Sequence, residues 1–141
     1  MAEKTRVVLQ TVEKGLVFEA RTEKGMTFLM DSAREPRGVN PVQTLLAALG
    51  GCCGMDVIEI LRKKRQDVTG YEVVLTGERR DEHPRAFTRI EVLHRVRGRN
   101  LSASAVEEAM RLSDTKYCSV YATLRPSVEL TSRYEIVPET A

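Results

Sequence analysis

One segment of the chain, residues 40–65, reads NPVQTLLAALGGCCGMDVIEILRKKR. Asparagine is a preferred N-cap residue and proline is favoured at the first helical position, so Asn40-Pro41 predicts the start of a helix. Apolar residues then recur on nearly every face, a pattern typical of a helix enclosed by the rest of its fold. We therefore expect a long, buried central helix that ends near Arg65 after a basic last turn.

The residues before this helix predict three strands. Residues that favour β-strands predominate in the segments 6–10, 16–21 and 26–30. Each gap between them holds a Glu-Lys-Gly triplet, at 13–15 and 23–25, and glycine suits tight turns between strands. The expected structure is a three-stranded antiparallel meander at the N-terminus.

The residues after the helix predict a β-hairpin, two helices and a last strand. The expected bounds are 71–77 and 86–96 for the hairpin strands, about 102–113 and 116–124 for the helices, and 127–137 for the strand. Ser102 and Ser104 are candidate caps for the first helix, and Asp114 and Thr115 for the second, which carries Cys118. This order predicts one α+β domain over residues 1–141, without parallel βαβ winding.

His94 belongs to the second strand of the predicted hairpin. The alternation of that strand places it on one face with Ile90, Val92 and Val96, while arginines occupy the opposite face. We therefore expect His94 to pack beneath the sheet.

Composition and charge exclude several classes of protein. The formal net charge is only +2, from 22 basic and 20 acidic residues, so no strong field favours nucleic acid. The first residues lack an apolar signal core, and the uncharged apolar run 45–55 is too short to span a bilayer. We expect a cytoplasmic protein without a nucleic-acid or membrane partner.

The three cysteines do not form a disulfide framework, because their number is odd and two are adjacent. One interpretation of Cys52 and Cys53 is that they are inert thiols packed among small residues. The other is that Cys52 and Cys118 react, since Cys118 lies near a predicted helix start, which favours a thiolate. Cys52 would need a cation, for which Arg34 and Arg37 are candidates if they are not simply solvated.

A metal or cofactor is not expected. Cys52 and Asp56 stand four residues apart on one helical face, but the chain contains neither Cys-x-x-Cys nor His-x-x-x-His spacing. It also has no glycine-rich nucleotide loop. Asp56 would instead destabilise a thiolate at Cys52 unless a cation, such as an arginine, neutralised it.

Taken together, Asn40-Pro41, Gly50-Gly51-Cys52 and Lys116-Tyr117-Cys118-Ser119-Val120 resemble the OsmC/Ohr family of thiol peroxidases. Residues 55–58 and 64–68 resemble its YhfA-like branch more closely. The resemblance covers nearly the whole chain. It implies an intertwined α+β homodimer, whose two long helices are wrapped by sheets, with an active site at each end of the interface.

The resemblance also implies roles for the thiols. Cys52 matches the thiol that attacks an organic hydroperoxide and becomes a sulfenic acid. Cys118 matches the thiol that resolves this intermediate as a disulfide, which an external dithiol then reduces. Cys53 has no partner in the scheme, so we interpret it as a packing residue.

The chain departs from the family pattern just after Asn40-Pro41. Peroxidases of the family place a glutamate there to orient an active-site arginine, whereas this chain has Val42 and Gln43. Gln43 can still bond to Arg34 or Arg37, but without charge. Two further functions therefore stay open: a non-peroxidatic dimer that binds a small apolar ligand at its interface, and a redox sensor.

Overall fold

Two three-stranded sheets organise the chain, and a computed structural model describes residues 3–12, 16–33 and 36–139. One sheet belongs to a first compact unit that ends at Leu45, and the other to a second unit that begins at Leu46. The description of residues 1–141 as a single domain stays a prediction.

The first unit contains the expected meander. Its antiparallel strands, in the order β1-β2-β3, are β1 (Val7–Thr11), β2 (Val17–Thr22) and β3 (Thr27–Asp31). Gly25 makes the second turn with φ +82°, in the left-handed region that glycine adopts readily. The other Glu-Lys-Gly triplet, residues 13–15, lies outside the described residues.

Helix α1 (Pro41–Lys63) starts where the sequence predicts and ends two residues before Arg65. The Asn40 side chain accepts a hydrogen bond from the Gln43 backbone N–H at 2.8 Å, and Gln43 Oε1 accepts one from the Asn40 backbone N–H at 3.3 Å. This reciprocal pair is a capping box, which satisfies two of the unpaired donors at a helix start.

The burial of α1 is one-sided within the chain. Leu49, Cys53, Val57 and Leu61, spaced four residues apart, are fully buried. Met55 is 72% exposed, and Ala48 and Gly51 on the same face are also exposed. The expected burial therefore holds for the face that meets the core of the second unit.

Length and composition would allow α1 to cross a membrane. An 18-residue window of the helix has a mean hydropathy of 1.7, and a third of it is buried. Core helices of soluble proteins meet the same criteria, so this is weak evidence. The expectation that the protein has no membrane partner stays a prediction.

The second unit contains the predicted hairpin and a third strand. Its strands, in the order β4-β5-β6, are β4 (Asp67–Arg79), β5 (Phe87–Arg99) and β6 (Glu129–Pro138). The hairpin is longer than predicted, and β6 pairs with β5 in parallel. The expectation of no parallel βαβ winding was therefore wrong. The helical connection through residues 100–128 is long enough to return the chain in the same direction.

That connection contains α2 (Ala103–Leu112), a π-helical turn (Ser113–Tyr117) and α3 (Ser119–Leu124). Ser102, not Ser104, caps α2 by accepting from the Ala105 backbone N–H at 3.3 Å. The prediction of a helix over residues 116–124 was wrong at its start, because Asp114 and Thr115 lie in the π-helical turn. Extended backbone at Cys118 then makes this residue the N-cap of α3.

His94 is fully buried, as the strand alternation predicts. Its Nδ1 lies 2.6 Å from the hydroxyl oxygen of Tyr71, whose ring stacks parallel to the imidazole. Burial lowers the pKa of His94 from 6.5 to about 4, because the charged imidazolium is poorly solvated there. His94 is therefore neutral in the folded protein at neutral pH.

The buried His94 makes stability depend on pH. The His94 imidazole takes up a proton near pH 6.5 in the unfolded chain but only near pH 4 in the folded chain. The contribution of neutral His94 to stability is therefore fully present above pH 6.5 and decreases as the pH falls from 6.5 to 4. We expect a loss of about 3 kcal/mol of unfolding free energy over this window. Denaturant unfolding of wild type and His94→Gln at pH 7 and pH 4 measures it, as the difference between the two proteins.

The variant His94→Gln should have a flatter pH profile than the wild type, and His83→Gln, in an exposed turn, should match the wild type. Asp114, whose pKa is raised by burial, acts in the opposite direction in all three proteins, so it does not affect the comparison. Equal pH profiles for wild type and His94→Gln would contradict the prediction.

Candidate functional site

Three sulfur atoms converge in the second unit. Cys52 and Cys53 come from consecutive positions of α1, and Cys118 comes from the start of α3. The Sγ atoms of Cys53 and Cys118 are 3.4 Å apart. Cys52 Sγ, Cys118 Sγ and a carboxylate oxygen of Asp56 all lie within 4.8 Å of one another. The fold thus brings together three of the residues singled out in the sequence, and places Cys53 beside them.

The three thiols differ in their access to solvent. Cys52 is partly exposed, whereas Cys53 is fully buried and Cys118 is 3% exposed. All three are free thiols. The sulfurs of a disulfide are about 2.05 Å apart, so bonding Cys52 to Cys118 requires a side-chain movement. Cys52 is the thiol that a substrate in solution can reach.

Cys118 is the centre of the cluster. Its sulfur accepts a hydrogen bond from the Tyr121 backbone N–H at 3.3 Å. Burial raises the pKa of the Cys118 thiol and its contact with Cys52 raises it further, while the bonds from Tyr121 and Cys53 act in the opposite direction. Two donors therefore point at this sulfur and stabilise negative charge on it.

Cys53 occupies the buried side of the cluster. Burial raises the pKa of its thiol, and the contact with Cys118 raises it further. At neutral pH Cys53 is therefore protonated and can donate its S–H to Cys118. The packing role expected for Cys53 agrees with its burial, but its contact with Cys118 was not foreseen.

Asp56 lies one turn after Cys52 on α1 and is partly exposed. Its Oδ2 accepts a hydrogen bond of 3.0 Å from the hydroxyl of the buried Ser113. This contact fixes the carboxylate beside the thiols, with one of its oxygens within 4.8 Å of Cys52 Sγ. The local sequence does not predict the contact between Ser113 and Asp56, because Ser113 makes it from the π-helical turn, a distant segment of the chain.

The other predicted site residues belong to the first unit. Arg34 lies outside the described residues. Arg37 is exposed, and its backbone N–H donates to Asp31 Oδ2 at 3.0 Å. Gln43 uses its side-chain oxygen in the capping box, so that atom is already engaged. Activation of Cys52 by Arg34 or Arg37, supported by Gln43, stays a prediction.

A groove of about 390 Å³ lies next to the cluster and shares Asp56 with it. Ile60, Leu112 and Tyr117 give it an apolar lining, and charged side chains from α1 and α2 complete it. Grooves of this size hold small organic molecules. The site therefore combines a solvent-accessible thiol, a second thiol that a side-chain movement can bring into bonding distance, and an adjacent groove. This combination can support thiol redox chemistry on an organic substrate.

Comparison with known proteins identifies relatives of the chain. The profile of the OsmC-like protein family matches residues 34–133. Protein YhfA of Escherichia coli K12 is 44% identical over 124 residues, which are 88% of this chain and 92% of YhfA. A hypothetical protein from Aquifex aeolicus VF5 is 34% identical and superposes with a TM-score of 0.87, covering 99% of this chain and 100% of that one.

A more distant likeness extends to the organic hydroperoxide resistance protein OhrB of Bacillus subtilis. Its crystal structure superposes with a TM-score of 0.62 at 16% identity, covering 94% of this chain and 98% of OhrB, which shows a shared fold. The family profile spans well over half of the chain. The chain therefore belongs to the OsmC-like protein family.

Proposed function

We propose that the protein is a thiol-dependent peroxidase that reduces organic hydroperoxides, with Cys52 attacking and Cys118 resolving. The observation that carries this proposal is the pairing of a partly exposed Cys52 with a buried Cys118 whose sulfur lies within 4.8 Å. The fold shared with the organic hydroperoxide resistance protein OhrB supports the substrate class. A reducing compartment, the cytoplasm, suits its free thiols.

The proposed reaction has two steps and a reset. The Cys52 thiolate attacks the O–O bond of the hydroperoxide, and the alkoxide leaves with a proton as the alcohol, so that Cys52 becomes a sulfenic acid. The Cys118 thiol then condenses with this sulfenic acid, releases water and forms the disulfide. An external dithiol returns both cysteines to thiols by exchange.

The test is consumption of cumene hydroperoxide by the reduced protein in the presence of dithiothreitol. We expect turnover above the rate of the dithiol alone. Without dithiol, one equivalent of hydroperoxide should lower the number of free thiols per chain from three to one. No consumption, or three free thiols after the treatment, would falsify the proposal.

A second candidate function is the binding of a small apolar ligand without peroxidase activity. The first unit contains an apolar groove of about 360 Å³, lined by Leu9, Leu16, Phe18, Met30 and Pro41 among others. The carboxylate of Asp56, which lies within 4.8 Å of Cys52 Sγ where the peroxidase scheme needs a cation, also favours this candidate. Slow alkylation of the native thiols together with a co-purified ligand in the mass spectrum would support it over the peroxidase.

We also propose that the protein is a homodimer. Within one chain, α1 leaves an apolar face exposed that includes Ala48, Gly51 and Met55. The small residues allow a second helix to approach closely, and among the described residues a Cβ added at Gly51 would meet no atom within 4 Å outside the adjoining part of α1. Sedimentation should give the mass of two chains, and Met55→Glu should shift it toward one. A monomeric wild type would contradict this.

A further inference from the structure

We propose that the reduced protein binds a borderline-soft divalent cation, with Zn²⁺ as the best match, through Cys52 Sγ, Cys118 Sγ and a carboxylate oxygen of Asp56. These three atoms lie within 4.8 Å of one another. The sequence argued against a metal because the chain contains neither Cys-x-x-Cys nor His-x-x-x-His spacing. The fold adds the third donor, Cys118, from the start of α3.

The separations of the donors suit a tetrahedral ion. Around Zn²⁺ with Zn–S bonds of about 2.3 Å, two sulfur ligands lie about 3.8 Å apart. The three observed donor atoms, all within 4.8 Å of one another, are close to that spacing. Three protein ligands leave the fourth position for water, as in zinc sites that remain open. Thiolates with a carboxylate favour zinc over the hard cations magnesium and calcium.

The donors are already oriented by neighbouring groups. The buried Ser113 hydroxyl donates to Asp56 Oδ2 at 3.0 Å. The Tyr121 backbone N–H donates to Cys118 Sγ at 3.3 Å, and Cys53 Sγ approaches the same sulfur at 3.4 Å. Hydrogen bonds of this kind fix the direction of carboxylate and thiolate ligands in metal sites. The cluster therefore resembles a supported ligand set and not a chance approach of three side chains.

The charges of the cluster also favour a cation. Zn²⁺ would displace the protons of the two thiols on binding, and its two positive charges would offset the repulsion among the resulting thiolates and the carboxylate. The hydroperoxide scheme gives Asp56 no role, whereas the cation site uses it as a ligand.

A bound ion also excludes the disulfide between Cys52 and Cys118, because both sulfurs are then ligands of the ion. Metal binding would thus protect the reduced thiols from oxidation.

The experiment is a Zn²⁺ titration of the reduced protein in competition with a chromophoric chelator, using a phosphine reductant and no hydroperoxide. We expect one Zn²⁺ per chain and a loss of affinity of about 100-fold in Cys52→Ser. Asp56→Asn should lose about tenfold. Cobalt provides a second readout, since Co²⁺ bound by thiolates has a charge-transfer absorption that Cys52→Ser should weaken.

Two variants control for indirect effects. Glu59→Gln makes the same change of charge one turn after Asp56, on an exposed side chain paired with Lys63, and should bind Zn²⁺ like the wild type. Cys53→Ala removes the hydrogen bond to Cys118 Sγ but none of the three donors, so it should lose clearly less affinity than Cys52→Ser. Equal affinity in wild type and Asp56→Asn, or an equal loss in Glu59→Gln, would overturn the proposal. Because no hydroperoxide is present, the result does not depend on peroxidase activity.

Discussion

Replacing Cys52 with serine is expected to lower the rate of hydroperoxide consumption at least about 1000-fold, to the background of the dithiol alone. A serine hydroxyl stays protonated at neutral pH and is a far weaker nucleophile toward oxygen than a thiolate. Cys52 is the partly exposed thiol of the cluster, so neither buried cysteine can replace it at the substrate. The initial rate with cumene hydroperoxide and dithiothreitol measures the effect.

The matched control is Cys53→Ala, which changes the adjacent residue of the same helix. Cys53 is buried and its thiol is held protonated, so the variant should retain most of the wild-type rate, with a modest loss of stability from the missing sulfur. If Cys53→Ala were inactive and Cys52→Ser active, the attacking thiol would be Cys53. Far-UV circular dichroism of both variants separates loss of function from loss of structure.

Much of the fold could be predicted because its signals are local. Asn40-Pro41 and Gln43 satisfy the backbone at a helix start, and Gly25 supplies a turn conformation that few other residues adopt. Alternation in β5 placed His94 beneath the sheet. These features depend on neighbours within four residues, so the sequence pattern contains them.

The errors concern contacts between distant segments. Nothing near β6 indicates that it pairs with β5 in parallel, because the direction is set by how the connecting helices pack. The π-helical turn before Cys118 was also missed, since it depends on the burial of Ser113 and its contact with Asp56. A local sequence pattern cannot show either contact.

The candidate site was predictable to a similar degree. Cys52 and Cys118 were candidates because Cys118 lies near a predicted helix start and because both match the thiols of a known family, and the fold places their sulfurs close together. The burial of Cys53 follows from its place in the four-residue spacing with Leu49 and Val57. Its approach to Cys118 could not be derived, because the spacing of residues on one helix does not determine which residue of another segment packs there.

Replacing Cys118 with serine is expected to separate the two chemical steps. The variant should still consume the first equivalent of hydroperoxide, because Cys52 is intact, but multiple turnover with dithiothreitol at low concentration should fall about 100-fold. Without a resolving thiol the Cys52 sulfenic acid persists and is oxidised further by excess hydroperoxide. Intact-protein mass spectrometry should show the addition of one oxygen, then two, in place of the loss of two hydrogens expected for the wild type.

Cys53 should not rescue the Cys118→Ser variant, although it is adjacent to Cys52 in sequence. Consecutive side chains diverge by about 100° around a helix, so a disulfide between them would require α1 to unwind at this point. The double variant Cys53→Ala/Cys118→Ser should therefore trap the same oxidised species as Cys118→Ser. A disulfide between Cys52 and Cys53 in the single variant would contradict this expectation, and wild-type turnover there would show that Cys118 is not the resolving thiol.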